Sequence, residues 1–164
     1  NTVFPGWQEI NMKKVTRYLY LLIVLPLLAN ATGTDKVIEL SDLWINEAPP
    51  VAKVHAAYLT IHNFSGLDIF LEKIESSDYQ RIEIHQSILD GEKARMQAHE
   101  ILEVKANSTL KLEPGALHLM LFKPLRRLQS GDTSTVTFHF SNNLQVTTDV
   151  HVKKLSSRHS HHRH

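Results

Sequence analysis

The chain has 164 residues, 42% of them apolar, with a formal net charge of +1 and no cysteine. That length fits one domain with tails and is enough to bury a real core. The balanced charge speaks against nucleic acid or an anionic membrane surface as partner, and the missing cysteine rules out a disulfide framework, a zinc ribbon and a thiol nucleophile.

In chain order, residues 1–11 precede Met12 and read as an extension upstream of the true start, with no role in the fold. From Met12, the basic Lys13, Lys14 and Arg17 lead into an apolar run over 18–28, and Ala29-Asn30-Ala31 follows as a small-x-small cleavage site. This pattern predicts a signal peptide over 12–31, cut near Ala31, and a periplasmic mature protein. The apolar run is about half of the ~20 residues needed to span a bilayer, so no stable membrane insertion is expected after cleavage. Cleavage would also leave Met96 and Met120 as the remaining methionines.

The segment 32–155 reads as a single all-β domain. Short apolar or alternating runs predict strands over 36–40, 54–62, 68–75, 80–89, 92–97, 99–104, 108–112, 116–122, 133–140 and 143–152. Turn signals such as Asp90-Gly91, Glu113-Pro114-Gly115 and Ser130-Gly131-Asp132 separate them. Many short strands at this spacing predict a sandwich or barrel. The glycosylation sequons at Asn30, Asn63 and Asn107 read as chance matches. From Ser156 the composition changes to a polar, flexible tail, 156–164.

Two strands carry the chemistry. In Arg81-Ile82-Glu83-Ile84-His85, alternation sends the isoleucines to the core and His85 to the other face. With Asp90 and Gly91 as the central pair of a two-residue hairpin turn, His85 is expected directly across from Met96, Cβ atoms about 4.5–5.5 Å apart. In Leu117-His118-Leu119-Met120-Leu121, the leucines share the buried face, and His118 and Met120 stand together on the less buried one. A lone histidine is more often structural than a ligand, and a methionine among leucines is usually core filler. Here two histidines and two methionines fall on the outer faces of strands in two tight pairs. Thioether sulfur is soft and uncharged and favours copper(I) over zinc, magnesium or manganese, with imidazole as the borderline partner. A blue-copper electron carrier would need a thiolate, which the chain lacks. His55, His62, His139 and His151 lie in strand-like runs and read as structural; His99 reads as a surface residue. In the tail, His159, His161, His162 and His164 form a second metal candidate, of a kind that takes copper(II), nickel or zinc.

At these residues the sequence resembles the periplasmic copper chaperone family that supplies copper for the CuA centre of cytochrome c oxidase, the PCuAC family. That family's motif is a histidine, ten residues, a methionine, twenty-one residues, then His-x-Met, and His85, Met96, His118 and Met120 match it at every position. The resemblance extends over Leu43-Trp44-Ile45, Glu47-Ala48-Pro49-Pro50, Ala57-Tyr58-Leu59-Thr60 with Asn63, Glu83-Ile84-His85 and Leu112-Glu113-Pro114-Gly115, roughly residues 36–153. It departs at Gln86-Ser87, where many relatives carry an additional methionine. The resemblance implies a cupredoxin-like Greek-key β-sandwich and a non-enzymatic chaperone. Such a protein would hand copper(I) to an acceptor such as cytochrome c oxidase subunit II or another copper chaperone. A copper buffer or resistance protein without a dedicated acceptor is the first rival. A β-sandwich interaction module without metal is the second, and a copper redox enzyme ranks last.

Overall fold

The computed structural model describes residues 36–155 apart from position 92. The expected extension over 1–11, the leader over 12–31 and the histidine tail over 156–164 lie outside the described residues.

Ten strands run in chain order: β1 (Ile38–Asn46), β2 (Val54–Asn63), β3 (Ile69–Ser76), β4 (Tyr79–Asp90), β5 (Lys93–His99), β6 (Leu102–Val104), β7 (Ser108–Leu112), β8 (Leu117–Pro124), β9 (Thr133–Phe140) and β10 (Gln145–Lys153). A short 3-10 turn, Ser141–Asn143, joins the last two, and no α-helix occurs among the described residues. Each strand overlaps one expected from the sequence. The largest difference is β1, expected to end at residue 40 but continuing to Asn46. A bulge between Ser41 and Trp44 hides this continuity, because the extra residue breaks the two-residue alternation. Asp42 adopts φ 51 there, a left-handed conformation that aspartate tolerates better than most residues, and Thr60 Oγ1 donates to its carboxylate at 3.3 Å.

The strands join in the order β5-β4-β8-β2-β1-β10-β9-β3-β6, with β7 also paired to β2. All pairs are antiparallel except β1 with β10. β2 changes partner midway: Ala57 faces Leu119 of β8, whereas Leu59 faces Leu112 of β7. β3 and β4 lie toward opposite ends of the path yet are separated by two residues. The sheet therefore folds back on itself around one core. Strand alternation fills that core. In β9, Val136, Phe138 and Phe140 point inward while Thr135, Thr137 and His139 point out. Phe138, Ile45, Leu59, Ile61, Leu71, Leu119 and Leu121 are buried, each contributing on the order of 1.5–3 kcal/mol of burial free energy.

Asn63, a sequon residue, is 1% exposed. Its amide nitrogen lies within 3.1 Å of the carbonyls of Leu67, Val104 and Lys105, and its oxygen accepts from the Ser65 N–H at 2.9 Å. The side chain is committed to tying two loops together.

Candidate metal centre

Strands β5, β4 and β8 are neighbours, about 4.8 Å apart, and carry the four candidate ligands. On β4, Ile84 is buried, and Arg81, Glu83, His85 and Ser87 share the opposite face. On β8, Leu119 and Leu121 enter the core while His118 and Met120 lie on the same side as His85. His85 is directly across from His118, and Glu83 from Met120. The two imidazole rings have centroids 6.3 Å apart.

The β4–β5 hairpin differs from the expected register. Ser87, not His85, faces Met96; His85 faces Ala98, and the last pair is Asp90 with Lys93. Gly91 opens the turn with φ 61. A primed two-residue turn needs positive φ at its first central position, and glycine meets that need better than aspartate. The turn therefore sits one residue later than expected, and Met96 becomes a diagonal neighbour of His85 instead of its direct partner. It remains on the His85 face, because partner positions have moved by two residues.

His118, Met120, Met96, Ser87, Tyr58 and His55 line one depression of about 340 Å³. Met96 is 58% exposed at its rim. His118, expected on an open face, is only 6% exposed. Neighbouring strands cover it, which alternation along one strand cannot reveal. Tyr58 packs against Trp44 with ring centroids 4.8 Å apart, and burial pushes its phenol pKa up.

Hydrogen bonds set the imidazole tautomers. His118 Nδ1 lies 2.9 Å from the Ala116 carbonyl, which can only accept, so Nδ1 carries the proton and Nε2 keeps its lone pair. His85 Nε2 lies 2.9 Å from Glu83 Oε2; a carboxylate likewise only accepts, leaving the lone pair on His85 Nδ1. That atom is buried and has no hydrogen-bond partner. Arg81 Nε pairs with Glu83 Oε1 at 2.8 Å, and its guanidinium stacks 4.5 Å above the Phe122 ring. A chain of contacts from Phe122 through Arg81 and Glu83 thus holds His85. A carboxylate on the far nitrogen is the usual support of a ligating histidine. Sequence reasoning placed Glu83 on this face without giving it a role; its two-residue spacing from His85 on one strand was the available signal. Tyr58 reaches the depression through tertiary packing and left no local signal.

Among the described residues, no cluster of three or more His, Cys, Asp or Glu could hold a metal ion. A centre here would need sulfur, and the donor set of two imidazoles and two thioethers fits a soft monovalent cation. The other histidines have polar neighbours. His55 sits 2.9 Å from the Tyr79 hydroxyl, and burial lowers its pKa. His62 contacts the hydroxyls of Ser41 and Thr109 and His151 approaches Thr133; His139 Nε2 lies 2.8 Å from Glu75 but, like His85 Nδ1, is buried without a hydrogen-bond partner. His99 lies opposite Ile84, off the His85 face, and contacts Gln86.

A family model described as "Putative lipoprotein LpqE-like" matches residues 38–152. "Uncharacterized protein RP573" of Rickettsia prowazekii is 33% identical over 98 residues, which is 59% of this chain and 54% of that protein. The chain thus spans about half the length of that curated relative. The copper-bound PCuAC domain from PmoF2 superposes with a TM-score of 0.64 at 17% identity, covering 73% of this chain and 94% of that one. The copper(I) form of DR1885 from Deinococcus radiodurans gives 0.58 at 25% identity, covering 72% and 77%. The fold is therefore the cupredoxin-like, all-β fold of these domains.

Proposed function

The chain belongs to the LpqE-like family, and from that premise we propose that it is an exported copper(I) chaperone, binding its cargo through His85, Met96, His118 and Met120. The observation that carries this reading is the buried, unpartnered Nδ1 of His85 directly across from His118. A buried polar atom without a partner costs free energy, and a cation bound at that lone pair would remove the penalty. The copper-bound states of two structural neighbours support the same cargo, and the family description as a lipoprotein supports export.

The residues divide the work. His85 and His118 are oriented in advance by Glu83 and the Ala116 carbonyl, so little reorganisation is needed on binding. Met120 lines the depression and Met96 stands at its rim, open to solvent. The neutral, thiolate-free set holds copper(I) without offering a disulfide-forming group. An acceptor with thiolates, such as the CuA site of cytochrome c oxidase subunit II, would compete successfully for a soft cation. The residues 159–164, with His159, His161, His162 and His164, would form a separate copper(II) site.

The test is a competitive copper(I) titration of the protein against a chromophoric chelator, with Met120→Leu alongside. One tight equivalent, much weakened in the variant, is expected. No tight binding, or binding indifferent to Met120, would leave the likeness to copper domains as one of fold alone.

A further inference from the structure

A second cavity, about 550 Å³ and so larger than the ligand depression, opens beside it; His55 lines both. Four cations line this cavity, Lys53, Lys123, Arg126 and Arg127, and no acidic residue does. Arg126 is engaged by Asp78 at 2.7 and 3.1 Å. Lys53, Lys123 and Arg127 form no ion pair with a described residue. Like charges gathered without counter-charges repel one another, so the arrangement is poor for stability alone.

The backbone adds an independent observation. Lys123 has φ 52, a left-handed conformation that a lysine rarely adopts. Its N–H donates to the Lys53 carbonyl at 2.7 Å, which sets the two lysines side by side. Strain of this kind gathers at working surfaces. Beside these cations and His55 the lining is apolar, with Pro49, Pro124 and Leu125, the last 60% exposed, and Val51 nearby is 87% exposed. The lining mixes cations with apolar side chains, a combination that suits carboxylates set among apolar groups. Lys123 follows Met120 by three residues on β8, about 10 Å along a strand.

We propose that this cavity docks an acidic, apolar-flanked polypeptide segment of the protein that receives the metal, and so sets the acceptor beside Met120. Identifying the partner as the metal acceptor rests on the function proposed above; the acidic-peptide site does not. Attraction between the lysines and partner carboxylates would speed and orient encounter and fade with salt.

The experiment measures binding of a fluorescent peptide of glutamate and leucine to the full-length, metal-free chain. Parallel arms use inorganic phosphate and anionic phospholipid vesicles. Reversing Lys53, Lys123 and Arg127 to glutamate should weaken peptide binding about tenfold or more, and reversing Lys93, Arg95 and Lys111 should not. Lys123→Gly, which relieves the positive φ, should weaken peptide binding while leaving thermal stability unchanged or raised. Met120→Leu should leave peptide binding intact, and the charge reversals should not weaken copper(I) affinity, because added negative charge does not repel a cation, so the two readings fail separately. The proposal is overturned by peptide binding indifferent to the three reversals, by no peptide binding, or by phosphate or vesicles binding as well as the peptide.

Discussion

The two methionines should not contribute equally. Met120 is half-buried on an interior strand, set between Glu83 of β4 and Ala56 of β2. Met96 lies on edge strand β5 and is 58% exposed. Fixing a fully free methionine side chain costs about 1.5–2 kcal/mol of rotamer entropy. Met96 retains much of that freedom before the metal arrives and loses it on binding, whereas the walls of the depression already restrict Met120. The difference is on the order of 1 kcal/mol, or roughly fivefold in affinity. Leucine replaces methionine with little change in volume, at a stability cost usually under about 1.5 kcal/mol, so both variants should stay folded. In a competitive copper(I) titration, Met120→Leu should therefore lose about fivefold more affinity than Met96→Leu. An equal loss, or a larger one for Met96, would refute the argument that prior ordering decides each sulfur's contribution.

Glu83→Ala should lower copper(I) affinity about tenfold, the lower end of the range for removing a carboxylate behind a ligating histidine, because Glu83 is partly exposed; circular dichroism of the metal-free variant should match the parent. Asn63→Ala would orphan buried carbonyls of the two loops it joins and should cost about 2 kcal/mol or more in denaturant unfolding; an unchanged midpoint would sink that account. His55 supplies a pH dependence. Burial lowers its folded pKa below the ordinary histidine value of about 6.5, so the unfolded chain takes up a proton first. Its contribution is complete above that value and is lost as pH falls toward the folded pKa. The unfolding midpoint should drop on acidification below about pH 6.5, and His55→Gln should flatten the drop; a slope unchanged in the variant would point to another group.

Much of the fold was legible because strands bury alternate residues, and both the leucine row of β8 and the isoleucine pair of β4 report that directly. The faces of His85, His118 and Met120 followed from the same two-residue period, whereas Met96 was placed only through the hairpin register. What alternation omits is whatever depends on a neighbouring strand. The bulge at Asp42 breaks the period locally, and the burial of His118 comes from strands distant in sequence. The pairing of His85 with His118 joins residues 33 positions apart, and no local pattern carries that information. The hairpin register failed on a narrower point: Asp-Gly marked the turn, but glycine took its first central position.

That hairpin also limits how the site can change over evolutionary time. Met96 holds its side of the sheet by parity alone, since an odd change in pairing would turn it away from His85 and an even one would not. Where the pairing stays regular, an insertion or deletion of a single residue in one arm between positions 86 and 95 should abolish the set, unless a bulge absorbs it. Paired changes that lengthen or shorten both arms together would keep Met96 in place. If the proposed set binds copper, length variation at this tip should be inherited in even steps, a trace of the ligand geometry in residues outside the proposed ligand set.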